Sequence, residues 1–440
     1  MREFEATFDK GLLQGLRSEA IEPVNEQRLV TLKNLRPHDF GLRPVEEMTY
    51  PFSATYSFTH PFPQLFLLRE LRLMALETGI YTCDSSWTPT LAIGSLTAGG
   101  IWQVADFGDF ILMANGQQLV QRNYAGVWST FADTSSIPDM KTVCNFRGQL
   151  VGGNMTDWED CDVNYVAWSD IGSAEFYPGL KNEAGYAPMS WNGAVLRVMA
   201  LGDLVAVYGV NGVSLLKPAK QYMAIKELDL PGIPTAGAVG GSSRGHVFVD
   251  YGGDVWMMGP DGKPKNLGYS EYISEMDASE LVISYNQHQN EYYISDGSVC
   301  YILGKSGLCQ THQLVSSVAF DNGVLYGTHS SDKDPNGTVV TDSLDFGQRA
   351  LKTLSLMSAN CSSRNNMWMG VHWRSSVMGT FQKSREQWVN PTGFVTPSVT
   401  AVDFKLAFRA ENYKDCKLSN MKVRLKLSDK RGIRGAYSAS

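Results

Sequence analysis

The sequence predicts an all-β chain: a degenerate β-propeller of about six blades, an extended N-terminal arm and a C-terminal antiparallel β domain. Three observations predict it. Among 440 residues there are 42 Gly, 19 Tyr, 19 Phe and 10 Trp but only 19% charged residues. Glycine serves tight turns and aromatics suit a pleated, half-buried surface, so this is the composition of a turn-rich β protein. A hairpin unit recurs along the chain. Helical periodicity is scarce, with short stretches near 8–16 and 269–276 as the candidates.

The hairpin unit is a polar turn, a strand of four to six apolar or alternating residues, and a second turn with Gly or Asn. It occurs around Gly108, Gly148, Gly202, Gly245, Asn290 and Gly323, at steps of 40, 54, 43, 45 and 33 residues. Asn-Gly, Asp-Gly and Gly-Gly-Asp supply the positive φ angles that tight hairpins need. Such short strands are not stable alone, and repetition every ~40–50 residues is the spacing of propeller blades packed around an axis. The steps are too uneven for a strict WD or kelch repeat. A large β-sandwich, or two of them, is the alternative with similar spacing.

The propeller is expected over residues 51–337. Residues 1–50 read as an arm lying on a surface, because Pro23, Pro37, Pro44 and Pro51 punctuate an extended stretch with apolar residues. From 338 to 440 longer alternating strands appear, such as Val402–Arg409 and Met421–Leu427, as in a half-exposed antiparallel sheet. A sandwich-like domain is expected there.

Function classes are narrowed mainly by what is missing. Net charge is −7, so there is no global basic field to hold nucleic acid by counterion release. Residues Leu65 to Leu76 form the strongest apolar run, and Arg69, Glu70 and Arg72 interrupt it well short of a membrane span. The acidic N-terminal residues do not read as a signal peptide. Seven irregularly spaced cysteines suit core thiols in a reducing compartment. The sequence has no Gly-x-Ser-x-Gly elbow, His-Glu-x-x-His or dinucleotide fingerprint. Gly304-Lys305-Ser306 ends like a phosphate loop, but Val299 stands where its first glycine belongs, so a hairpin turn is expected. No cofactor is expected. Asp332, Asp334, Asn336 and Gly337 match the front half of a calcium loop, yet Ser343 occupies the position of the bidentate Glu.

Two classes of candidate residue remain. A glycan-cleaving propeller would need facing carboxylates, with Asp109, Asp157, Asp170, Glu175, Asp203 and Asp254 available. A glycan- or peptide-binding propeller could use tryptophans at blade tips: Trp102, Trp128, Trp158 and Trp191. Charge is more informative. From Lys405 to the end there are ten Lys/Arg against three acids, leaving −14 on the rest. Lys422, Arg424 and Lys426 share one strand face, followed by Lys430, Arg431 and Arg434. They form a candidate face for docking on an acidic partner or a DNA backbone, or a solvated sheet face.

Three phrases carry a family resemblance: Val166-Ala167-Trp168-Ser169-Asp170 through Pro178; Glu291-Tyr292-Tyr293-Ile294-Ser295-Asp296-Gly297; and Leu344-Asp345-Phe346-Gly347 through Leu354, with a terminal Leu427-Ser428-Asp429-Lys430-Arg431-Gly432-Ile433-Arg434. In this order and composition the chain resembles the tail nozzle or hub proteins of short-tailed double-stranded DNA bacteriophages, the tail accessory proteins that stabilise packaged DNA. The resemblance implies a structural virion protein rather than an enzyme, assembled in the host cytoplasm. Its implied form is a homo-oligomeric, hexameric ring below the portal and adaptor. That ring would extend the exit channel for genomic DNA and anchor a tail fibre or spike. Its net acidity suits a lumen through which DNA slides without sticking.

Overall fold

The computed structural model describes residues 3–18, 27–50, 59–108, 110–131, 137–155, 158–220, 222–328, 335–347, 350–362 and 366–427. The chain divides into two compact units, Met48–Cys300 with Gln313–Ser330, and Met1–Glu47 with Tyr301–His312 and Ser331–Ser440.

The first unit is propeller-like. Five antiparallel four-stranded sheets follow one another, each with its strands in chain order. Sheet I runs from Gln64–Leu68 to Pro89–Gly94, sheet II from Gln103–Phe107 to Trp128–Thr130, and sheet III from Met140–Phe146 to Gly185–Pro188. Sheet IV runs from Val195–Leu201 to Tyr222–Leu228, and sheet V from Val239–Ser242 to Pro264–Gly268. Two hairpins continue the series within this unit: VI, Val282–Asn286 with Glu291–Ser295, and VII, Val318–Asp321 with Val324–Gly327.

Apolar runs become strands here because both faces of a sheet are covered by its neighbours. In the strand Phe110–Ala114 every residue is buried. Phe110, Leu112 and Ala114 pack with Met140, Val143 and Leu150 of sheet III. Ile111 and Met113 point the other way, into Leu73, Ala75 and Ile80 of sheet I. Sheet III divides likewise: Met140 and Val143 face sheet II, while Cys144 and Phe146 face Val198 and Val205 of sheet IV. The series returns on itself where Leu65, Met74 and Trp87 of sheet I pack with Ala319 of VII.

That closure also holds a buried ion pair. Asp321 accepts from Arg72 Nε at 2.6 Å and Nη2 at 3.3 Å, and from Trp87 Nε1 at 3.2 Å. The two charged side chains are 16% and 8% exposed.

All six turn markers fall at the first hairpin of sheets II to VII. Sheet I precedes the first of these markers. The first hairpin of sheet I turns through Arg69-Glu70, with Arg69 at φ 53°. Neither residue is a turn former, so the sequence gives no sign of it.

The second unit joins the two ends of the chain. Its first sheet orders Leu35–His38, Gly41–Pro44, Leu418–Leu427, Lys352–Cys361 and Phe394–Val395, with Glu3–Phe8 also paired to Leu418–Leu427. Its second orders Gly307–Thr311, Leu29–Lys33, Gly337–Thr341, Asp403–Ala410 and Met367–Arg374. This differs from the expected arm. Glu3–Phe8, Leu29–Lys33, Leu35–His38 and Gly41–Pro44 are strands, and Leu29, Leu32, Leu35 and Leu42 are core residues. Pro37 is accommodated because Leu35–His38 ends its sheet, where a missing N–H breaks no ladder. The expected propeller boundary at 337 shifts as well, since Leu308 and Gln310 accept backbone bonds from Leu16 and Asn34. Cys361 and Cys416 lie in sulfur contact at 3.4 Å.

Replacing Asp321 with Ala strands the Arg72 charge and the Trp87 N–H at the closure, at an expected cost of about 3–5 kcal/mol. Asp203→Ala removes the exposed pair with Arg147 and is expected to cost within ~1 kcal/mol. Urea unfolding of both variants checks the contrast, and equal costs would contradict it.

Candidate functional site

The first strands of I, II and IV to VII line a cavity of about 540 Å³. Most residues of the first strands are apolar, and single polar side chains link most of them to the next. Gln64 of sheet I accepts from Trp102 N just before sheet II at 2.6 Å. Gln103 of sheet II accepts from the Thr142 hydroxyl of sheet III, whose oxygen accepts in turn from Val198 N of sheet IV at 2.9 Å. Arg197 of sheet IV donates to Ala236 O and Val239 O at 2.9 and 2.8 Å. Ser284 of VI accepts from Val318 N of VII at 2.9 Å, and Ser317 from Leu65 N of sheet I at 3.0 Å. Each bond contributes roughly 1 kcal/mol net, but losing one partner strands a buried group at about 1–3 kcal/mol.

The cavity wall includes Gln64, Ile101, Trp102, Val104, Arg197 and Ser284. His288, also on the wall, stacks on Phe320 with ring centroids 4.0 Å apart. Arg197 sits beside a β-bulge, the register shifting between Val195 and Arg197. An extra residue there bends the strand and re-aims its side chains. The Leu196 carbonyl meets Gln103 Nε2 at 3.2 Å. Burial pushes the Arg197 guanidinium down to about 10, so it remains a cation at neutral pH. Asp and Glu are absent from the cavity wall formed by the described residues.

Outside the cavity, His246 is fully buried between sheets IV and V. Its Nε2 bonds Ala200 O at 3.1 Å, and its Nδ1 accepts from the Tyr208 hydroxyl at 3.0 Å. Both nitrogens are used by the neutral ring, and burial pushes its pKa down to about 3.

The residues singled out from the sequence land elsewhere. On the candidate docking strand, Arg424 pairs with Glu5 at 2.8 Å and Lys426 with Glu3 at 2.6 Å, while Lys422 stands opposite Thr7. The strand expected to present open cations is therefore partly neutralised by the acidic N-terminal strand. Local sequence could not show this, because the partners lie some four hundred residues away. Lys430, Arg431 and Arg434 lie outside the described residues, as do Asp332 and Asp334 of the half calcium loop.

Carboxylates proposed for glycan cleavage serve local structure. Asp170 accepts from Glu183 N at 2.9 Å, Glu175 from Tyr177 N at 3.1 Å and Asp254 from Asn266 Nδ2 at 3.1 Å. Asp203 pairs with Arg147. Asp109 and Asp157 lie outside the described residues. The tryptophans expected at blade tips are largely core instead. Trp102, Trp158 and Trp191 are buried and Trp128 is half-buried. Gly209 and Gly212 lie against the Trp191 ring, where a Cβ would collide with it. Gly304-Lys305-Ser306 lies at a strand–turn–strand junction between Cys300–Gly304 and Gly307–Thr311. Sequence reasoning missed Arg197. Its one available signal was a lone arginine inside the apolar run Val195-Leu196-Arg197-Val198-Met199.

His246 makes stability pH-dependent. Its folded pKa lies near 3 against an ordinary 6.5, so its contribution is complete above pH 6.5. It is lost progressively as pH falls toward 3, because the unfolded chain binds the proton first. Denaturant midpoints between these values should fall with pH, and His246→Gln should flatten that part of the profile. An unchanged slope in the variant would exclude His246 as a source.

No protein-family model matches this chain, and no curated protein matches it. Solved structures show distant likeness. PorZ, an essential surface component of the type-IX secretion system of Porphyromonas gingivalis, aligns at 11% identity and a TM-score of 0.38, over 64% of this chain and 35% of that one. The WD40 domain of Neurospora crassa Pan2 aligns at 10% and 0.39, over 61% and 86%. The extracellular domain of the one-component system BT4673 from B. thetaiotaomicron aligns at 11% and 0.42, over 90% and 62%. This chain thus spans about a third of PorZ and under two thirds of the BT4673 structure. With TM-scores below 0.5, these likenesses carry no argument about function, and the architecture rests on sheet order and packing.

Proposed function

We propose that the chain is a structural subunit, a tail nozzle or hub protein of a short-tailed phage that assembles with copies of itself into a ring. In this reading the first unit is a seven-bladed propeller and the second a sandwich-like domain. The ring would be hexameric and would continue the DNA channel below portal and adaptor.

The observation that carries this reading is the segment between Tyr165–Trp168 and Gly185–Pro188, which contains the Trp-Ser-Asp phrase. The phrase holds its own loop in place. Trp168 Nε1 donates to Glu183 O at 2.9 Å, Ser169 Oγ accepts from Leu150 N at 2.9 Å, and Asp170 N donates to Glu175 O at 2.8 Å. On this pinned loop Ile171, Tyr177 and Leu180 are exposed, Leu180 completely. Apolar side chains held outward by a rigid loop suit contact with another subunit.

A second reading, a ligand-binding propeller, is favoured by the axial cavity. Light scattering on the purified chain and its copy number in banded particles separate the two. The ring reading expects an oligomer, about six copies per particle, and dissociation of the ring by Leu180→Asp with an unchanged melting temperature. A monomer absent from particles would overturn it.

A further inference from the structure

We propose that the axial cavity of the propeller-like unit is a binding site for a small organic oxyanion, a carboxylate or a phosphate ester, with Arg197 as its counter-ion. This deepens the ligand-binding reading and rests on it; it does not depend on ring assembly.

The argument starts from charge. Arg197 lies partly buried on the cavity wall and forms no ion pair with any described residue, and no Asp or Glu is among the described residues that line the cavity. Its Nη1 is held by Ala236 O and Val239 O, which fixes the plane of the guanidinium. Nε and Nη2 have no hydrogen-bond partner among the described residues, and the side chain forms part of the cavity wall. Desolvating a cation without a counter-ion costs several kcal/mol. A guanidinium with two parallel N–H groups left over matches the two oxygens of a carboxylate or phosphate.

The rest of the wall is biased toward donors. Gln64 has its carbonyl oxygen occupied by Trp102 N, which leaves its amide N–H groups for a ligand. Ser284 accepts from Val318 N, so its hydroxyl proton is available. In both cases a backbone N–H consumes the acceptor and leaves the donor over, the opposite of what a cation site needs. Ile101, Trp102, Val104 and Phe320 give the cavity an apolar wall for a carbon skeleton. The volume of about 540 Å³ lies within the range of small-molecule pockets.

The test uses the full chain in thermal melts and calorimetric titration with citrate, inorganic phosphate and neutral glucose, at two salt concentrations. Expected are a raised melting temperature with citrate or phosphate and binding that weakens with salt. Arg197→Met should bind about tenfold or more weakly, with Arg197→Lys intermediate. Preference between citrate and phosphate separates the carboxylate source from the phosphate one. If Arg197→Met fails to fold, Gln64→Leu and Arg197→Lys carry the same comparison. Undiminished anion binding in the variants would overturn the proposal. Glucose binding alike in wild type and Arg197→Met, without anion binding, would remove the anion assignment and keep the ligand-binding reading. No binding of any probe would remove both.

Discussion

The contact on which the propeller-like unit depends is the closure of hairpin VII onto sheet I. Every other sheet interface is made between consecutive stretches of chain. This one joins residues about 250 positions apart, through Arg72–Asp321, Trp87–Asp321 and Ser317–Leu65. An open series of sheets would leave apolar faces bare at both ends, and a strand such as Gln64–Leu68 would have a neighbour on one side only. Closing the series covers both faces at once, so the loop-closure entropy is met by hydrophobic burial and directional bonds at one place. An ion pair suits that place because it fixes register. Leu65, Met74 and Ala319 could slide past one another, whereas the Arg72 fork and the indole N–H meet one carboxylate in one arrangement.

Around the axis the chain uses a different device. Sheets pack flank to flank through apolar side chains, but the first strands converge and present backbone groups with no ladder partner on the axial side. Gln64, Gln103, Thr142, Arg197, Ser284 and Ser317 satisfy some of those groups across successive sheets. One polar residue in an apolar strand thus has a use, and Arg197 is the charged member of this belt.

Much of this architecture was readable in the sequence. Markers such as Gly148 and Gly323 fell in the correct turns because positive φ angles demand Gly or Asn there. Arg69 escaped because a non-glycine residue adopts the same conformation without announcing it. The strand Phe110–Ala114 looked simply hydrophobic; only a fold with sheets on both sides explains five buried residues in a row. The prolines at 37 and 44 read as an arm, since periodicity cannot reveal which distant strand an extended segment will pair with. The same limit hid Glu3 and Glu5 from Arg424 and Lys426. The axial cation was missed, and the absence of a carboxylate among the described residues of its cavity is a property of three-dimensional neighbours with no sequence signature.

Pairing of Glu3–Phe8 with Met421–Lys426 has a consequence for biosynthesis. The propeller-like unit has all its residues once position 330 has been translated, so it can close while the rest of the chain is still being made. The other unit cannot. Its strand Glu3–Phe8 is translated before the propeller-like unit, yet its partner follows that unit, and until then Phe4 and Phe8 have no ladder to join. One unit is thus free to mature first, and the other waits for a strand translated after it.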